Sequence, residues 1–142
     1  MLVSELMTRA VVSVTPEDTA STAAQLLSRH NIGAVPVCAD DGVLRGIVTD
    51  RDLVLRCLAA ERDPETTSVR EIMTTAPLSV SPGDDVRAAA HSMASEQIRR
   101  TPVTENGRVV GMLSLGDLAR VRAYDMEASK ALSEISSNVR RV

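Results

Sequence analysis

The chain has 142 residues, 44% hydrophobic and 25% charged, with a formal net charge of −3. A chain of this length buries roughly 70% of its unfolded surface, enough for one compact unit or two small halves sharing a core. The charge gives no long-range attraction to nucleic acid or anionic membrane, and Tyr124, the only aromatic residue, offers no platform for stacking single-stranded bases.

Cys38 and Cys57 fit neither a disulfide framework nor a metal spacing and read as small apolar residues in a reducing compartment. The opening MLVSELMTRA lacks the basic region and apolar run of a secretion signal, and no later stretch has the composition of a membrane span. The sequence therefore predicts a soluble cytoplasmic protein with no membrane and no nucleic-acid partner. Its positive charge is nearly all arginine, Lys130 being the single lysine, and arginine suits planar recognition of phosphate and carboxylate.

In chain order, ELMTRAVVSVTPED (5–18) returns 66 positions later as EIMTTAPLSVSPGD (71–84). The register runs on through Ala23/Ala89, Ile32/Ile98 and Pro36/Pro102, loses one residue at the turns Asp41-Gly42 and Asn106-Gly107, and resumes with Gly46/Gly111 and Asp52/Asp117. Two copies of one unit are expected. In each, VSV or LSV predicts a short strand ending at Thr15-Pro16 or Ser81-Pro82. There the hydroxyl is read as N-cap, the proline as first helical residue and Asp18 or Asp84 as the acidic third position. The following helix places Ala20, Ala23, Ala24 and Leu27 on one face, matched by Val86, Ala89, Ala90 and Met93.

AVPVCADDGVLRGIVT and RTPVTENGRVVGMLS predict β-hairpins around glycine-containing turns, and a second helix starts near Asp50–Asp52 or Gly116–Asp117. The unit is strand, helix, strand, strand, helix. Residues 1–60 form the first repeat, 61–68 a linker in which Asp63-Pro64 breaks the helix, and 69–121 the second repeat, opened by a turn capped through Ser68 and Glu71. Residues 122–142 predict a helical tail. Its Ala128, Leu132, Ile135 and Val139 form a narrow heptad-like seam that suits the same helix of a second subunit, or packing back on its own domain.

Thr49-Asp50-Arg51-Asp52 and Ser114-Leu115-Gly116-Asp117 both read as helix starts, a hydroxyl cap followed by an acid in the first turn. His30 and His91 have no second ligand at metal spacing, and no nucleophile–base constellation, phosphate loop or catalytic acid pair stands out, so neither a metal site nor an enzyme is expected.

The ordered set MT…V.V.P.D, (I/V)PV, G.(L/V).G(I/M)(V/L) and (T/S)..D, present twice, resembles the cystathionine β-synthase (CBS) domain, and the tandem pair resembles a Bateman module over about residues 3–121. The resemblance implies an α/β fold, two βαββα repeats about a pseudo-twofold axis, here with a C-terminal helix. It also implies clefts between the repeats that take AMP, ADP, ATP or S-adenosylmethionine as regulatory ligand, with no required cofactor. Such modules commonly pair as homodimers and regulate a protein effector without catalysing a reaction.

On this resemblance Asp52 and Asp117 accept hydrogen bonds from ribose hydroxyls, since a carboxylate only accepts and a vicinal diol offers two donors. Thr49 and Ser114 face the ligand's sugar or phosphate, the exposed N–H groups of the helix start favour an anion, and Arg51 is a further phosphate candidate. The base would lie against Val11, Val12, Gly33, Ala34 and Pro36 in one copy, and Pro77, Leu78, Arg99, Arg100, Thr101 and Pro102 in the other. IGAVPV carries no charge where IRRTPV carries two, so unequal sites are expected; adjacent strand residues point to opposite faces, so only one of Arg99 and Arg100 faces a given cleft. The alternative is a structural or protein-interaction dimer whose clefts are empty or vestigial.

Overall fold

The computed structural model describes residues 1–121 and 125–140, the side chains of 125–128 and 137–140 excepted. The chain divides into two compact units: Val12–Pro77 with Gly107–Val109, and Met1–Val11 with Leu78–Asn106 and Val110–Val142. The architecture is mixed α/β, with two tandem repeats and a C-terminal helix.

The unit built on Val12–Pro77 contains α2 (Ala20–His30), β1 (Ala34–Cys38), β2 (Leu44–Thr49), α3 (Asp50–Asp52), a π-helical continuation (Leu53–Leu58), α4 (Val69–Ile72) and β3 (Thr74–Thr75). Its strands run β1-β2-β3, all antiparallel, with Ala34 opposite Thr49 and Ile47 opposite Thr74. Val14 adds a parallel bridge to Val37. Val35, Val37 and Val48 lie in the core with Ala20, Ala23, Leu27, Cys57, Val69 and Ile72.

The other unit contains α1 (Val3–Leu6), α5 (Val86–Glu96), β4 (Arg100–Glu105), most of β5 (Arg108–Ser114), α6 (Leu115–Ala119) and α7 (Asp125–Arg140). It repeats the same plan: Val80 bridges Val103 in parallel, and Thr8 bridges Met112 where β3 stands beside β2. The opening helix of each repeat is exchanged, so α1, first in the sequence, packs with the second repeat's core and α4 with the first repeat's.

The close approach at the third strand explains the paired glycines. A Cβ on Gly46 would stand 2.7 Å from the Thr74 carbonyl oxygen, and one on Gly111 would stand 3.0 Å from the Thr8 carbonyl oxygen.

Several sequence expectations are corrected. The segments around VSV and LSV contribute one bridging residue each, not strands. The first helix of each repeat does not start at the proline. Asp18 Oδ2 accepts from the Thr15 N–H at 2.8 Å and Asp84 Oδ2 from the Ser81 N–H at 2.8 Å, so each acid closes a turn on itself. No helix continues from these turns because their carbonyls are taken from elsewhere: Pro16 and Asp18 accept from the Arg70 and Val69 N–H groups, and Pro82 and Asp84 from those of Ser4 and Val3. The helices begin at Ala20 and Val86, capped by Thr19 and Asp85. In the segment 61–68, Thr67 is buried and its carbonyl accepts from the Ala20 N–H at 2.8 Å. The helix before this segment ends ahead of Asp63-Pro64, with Glu61 left-handed at φ 57°.

Ala24 is exposed whereas its counterpart Ala90 is buried. The difference is α7, which packs on α5 and α6 and buries Ala131 and Ile135, with Leu132 half-buried against the same core. The middle of the tail seam therefore packs on its own unit, and not as an uncovered strip awaiting a partner helix. Ala128 and Val139 lie outside the described side chains.

Candidate functional site

Each unit carries one hydroxyl–x–x–Asp turn where its central strand enters a helix. In the first, Thr49 Oγ1 accepts from the Asp52 N–H at 3.0 Å and Asp52 Oδ2 accepts from the Thr49 N–H at 3.0 Å. In the second, Ser114 Oγ accepts from the Asp117 N–H at 3.1 Å and Asp117 Oδ2 accepts from the Ser114 N–H at 3.0 Å. These reciprocal bonds are capping boxes, with aspartate in the place usually held by a longer acid. They fix both the backbone of the turn and the carboxylate.

The acids are 7% and 5% exposed, a rare degree of burial for aspartate. Each is therefore supported by further donors. Thr74 Oγ1 lies 3.2 Å from Asp52 Oδ1 and 3.3 Å from Oδ2. Arg56 Nη1 lies 3.7 Å from Asp52 Oδ1, and the same nitrogen donates to the carbonyls of Ile72 at 3.2 Å and Met73 at 3.0 Å. Asp117 Oδ1 is instead held by Arg120 Nη2. A carboxylate offers about four lone-pair sites, so each acid keeps acceptor capacity beyond these contacts.

Thr74, Arg56 and Arg120 do not stand out in the sequence as site residues. The repeated MT pairs, Met7-Thr8 and Met73-Thr74, carry the signal for Thr74. An arginine four residues after one acid and three after the other is the helical spacing that finds Arg56 and Arg120.

Around Asp52 the strand pairing places Ala34 opposite Thr49, and the Gly33 carbonyl accepts from the Asp50 N–H at 3.0 Å. Val12, half-buried, packs against the same unit's core, and Pro77 belongs to that unit too. Pro36 is buried within β1, its carbonyl accepting from the Val14 N–H at 3.1 Å. Arg51 is exposed, and its backbone N–H is held by the Asp50 carboxylate.

Around Asp117 the Arg99 carbonyl accepts from the Leu115 N–H at 2.9 Å, the counterpart of the Gly33 bond. Thr101 is fully buried, its hydroxyl donating to the Leu78 carbonyl at 2.9 Å. Pro102 is buried, Arg99 exposed and Arg100 half-buried. Val11 and Leu78 belong to this unit, whereas Val12 and Pro77 belong to the other.

His30 and His91 are both exposed, on α2 and α5. Among the described residues, no group of three or more histidine, cysteine or acidic side chains is placed to hold a metal ion. A bowl of about 380 Å³ lined by Glu17, Asp40, Arg45 and Arg70 lies at the opposite end of β1 and β2 from Thr49 and contains neither acid.

The arrangement is that of one α/β plan used twice, each copy with its own hydroxyl–x–x–Asp turn. The CBS domain model matches residues 3–58 and 69–124, and the chain belongs to the CBS domain family. It is 42% identical over 134 residues to CBS domain-containing protein YhcV of Bacillus subtilis, covering 94% of each chain. The CBS domain protein PAE2072 from Pyrobaculum aerophilum, solved in complex with AMP, superposes with a TM-score of 0.80 at 31% identity, covering 92% of this chain and 99% of that one. The CBS domain pair of protein MJ0100, solved with 5′-methylthioadenosine and S-adenosyl-L-methionine, gives 0.77 at 27% identity, covering 87% and 96%. Among the described residues no helix is long and apolar enough to cross a membrane.

Proposed function

We propose that this CBS pair is a non-catalytic regulatory module that senses adenine nucleotides or other adenosyl ligands at the Thr49–Asp52 and Ser114–Asp117 turns. One observation carries the reading: in both units a buried aspartate is locked by its own backbone and keeps acceptor capacity. That is what a ribose diol needs, because two hydroxyl donors on a preorganised carboxylate make charge-assisted bonds without reordering the site. The adenosyl complexes of two similar CBS proteins support the choice of ligand class.

We place the protein in the cytoplasm as a homodimer that reports ligand occupancy to a protein effector. No cofactor is required for this role. The dimer reading rests on the family likeness, since the described part of the tail seam is covered by its own unit.

A second reading, a structural or interaction module with vestigial sites, is favoured by the partners the acids already hold, Arg120 on Asp117 above all. Calorimetric titration and thermal shift with AMP, ADP, ATP and S-adenosylmethionine separate the two. A ligand at a hundred times its Kd adds about 2.7 kcal/mol of stability. Asp117→Ala and Asp52→Ala should each remove about 1.5–3 kcal/mol of binding at their own turn. Absence of binding by every adenosyl compound at millimolar concentration leaves the interaction module as the function.

A further inference from the structure

The two acids hold their arginines differently. Arg56 is tied to two backbone carbonyls by the nitrogen that faces Asp52, so its guanidinium is part of the fold. Arg120 follows α6 directly and touches Asp117 through Nη2, while its side chain is 76% exposed and that of Asp117 only 7%. The carboxylate is thus fixed and the arginine is free to leave. A diol approaching Asp52 meets the hydroxyl of Thr74, which can reorient. A diol approaching Asp117 must first compete with a cation for Oδ1.

We propose that Arg120 makes the Asp117 site selective for a phosphorylated nucleoside, by passing from the Asp117 carboxylate to the ligand's phosphate as the ribose takes its place. The inference rests on the adenosyl reading of the site and adds to it a residue that decides between ligands. Only the arginine end of the pair is exposed, so water can solvate the guanidinium as it leaves and the ribose hydroxyls take over the buried carboxylate, yet an uncharged nucleoside offers the arginine no anion in exchange. A nucleoside 5′-phosphate lies one sugar ring away from the diol, within the sweep of an arginine side chain. There the planar guanidinium regains a bidentate, charge-assisted contact. Asp52 has no displaceable counterpart, so its site should discriminate less between charged and uncharged adenosyl ligands.

Titration calorimetry of the full chain with AMP and with adenosine tests this, in the parent and in Arg120→Gln, both carrying Asp52→Asn so that the Asp117 site is read. AMP should bind the parent more tightly than adenosine. Arg120→Gln should weaken AMP while leaving adenosine unchanged or tighter, so that the preference falls about tenfold, the scale of removing one charge-assisted hydrogen bond. Arg120→Lys should retain part of the preference, as a point charge without the fork. Equal losses for both ligands would mean that Arg120 merely positions Asp117, and would overturn the exchange. So would a parent that binds AMP and adenosine equally. Binding of neither ligand to the parent, with Asp52 intact or replaced, would overturn the adenosyl reading together with the inference. Unchanged melting of Arg120→Gln would show that the fold is not the cause.

Discussion

Ile135→Ala is the substitution that most directly tests what the tail helix does. Ile135 is 6% exposed and packs with Ala131 against the core that holds Ala90, Ala94 and Leu118. Removing a buried isoleucine to alanine costs about 2–5 kcal/mol, the spread reflecting how far the site collapses. Here the cavity would lie under a terminal helix that can settle onto α5, so the lower half applies, about 2–3 kcal/mol. For a chain of this size that is a fall in Tm of roughly 6–10 °C. Ser133→Ala, at an exposed position of the same helix, should change stability by less than about 0.5 kcal/mol. Equilibrium urea unfolding gives the free-energy difference and a melt gives the temperature. If Ile135→Ala unfolds with Ser133→Ala, the helix does not depend on its own unit for cover. A parent dimer that dissociates in Ile135→Ala without loss of monomer stability would assign the seam to a second subunit after all.

Gly46→Ala would put a Cβ 2.7 Å from the Thr74 carbonyl oxygen, so β2 and β3 must part; a loss of about 1–3 kcal/mol in urea unfolding is expected, against almost none for Gly83→Ala, whose Cβ meets nothing. Thr74→Val keeps the shape and removes the hydroxyl that reaches both Asp52 oxygens, which should cost about 1 kcal/mol by the same measurement. Burial pushes the Cys38 thiol above its ordinary range, a hydrogen bond from Ser13 opposing this more weakly. The native state then keeps a proton that the unfolded chain releases, so stability should fall as pH rises through the ordinary thiol range. Cys38→Ala should show a shallower fall between pH 7.5 and 9.5 (values set by the usual thiol pKa of about 8.5).

Much of this fold is legible in the repeat. The apolar runs of β1 and β4 and the turns after Thr49 and Ser114 are local matters, decided by neighbours a few residues apart, and the sequence expresses them directly. What stayed hidden was settled by distant partners. Nothing near Ala24 and Ala90 distinguishes them; α7 covers one face, and α7 lies far along the chain. The helix expected from Thr15-Pro16 does not follow because the Arg70 and Val69 N–H groups, more than fifty residues on, take the Pro16 and Asp18 carbonyls. At the site, Asp52 and Asp117 stand out by recurrence, whereas Thr74 reaches Asp52 from 22 residues away and only the folded chain brings them together.

The exchange of opening helices bears on the order in which the protein can be made. Val12–Pro77 supplies nearly all of its unit, so that unit can begin to form as soon as Pro77 clears the ribosome. Met1–Val11 emerges earlier still but has no home until Val86 and the strands beyond it are synthesised: Val3 N–H donates to the Asp84 carbonyl, and Thr8 exchanges bonds with Met112. Residues that leave the exit tunnel ahead of Val12–Pro77 thus find their places after it. Until then the nascent chain carries Val3, Leu6 and Met7 uncovered, a short apolar hook that closes only when the second repeat arrives to receive it.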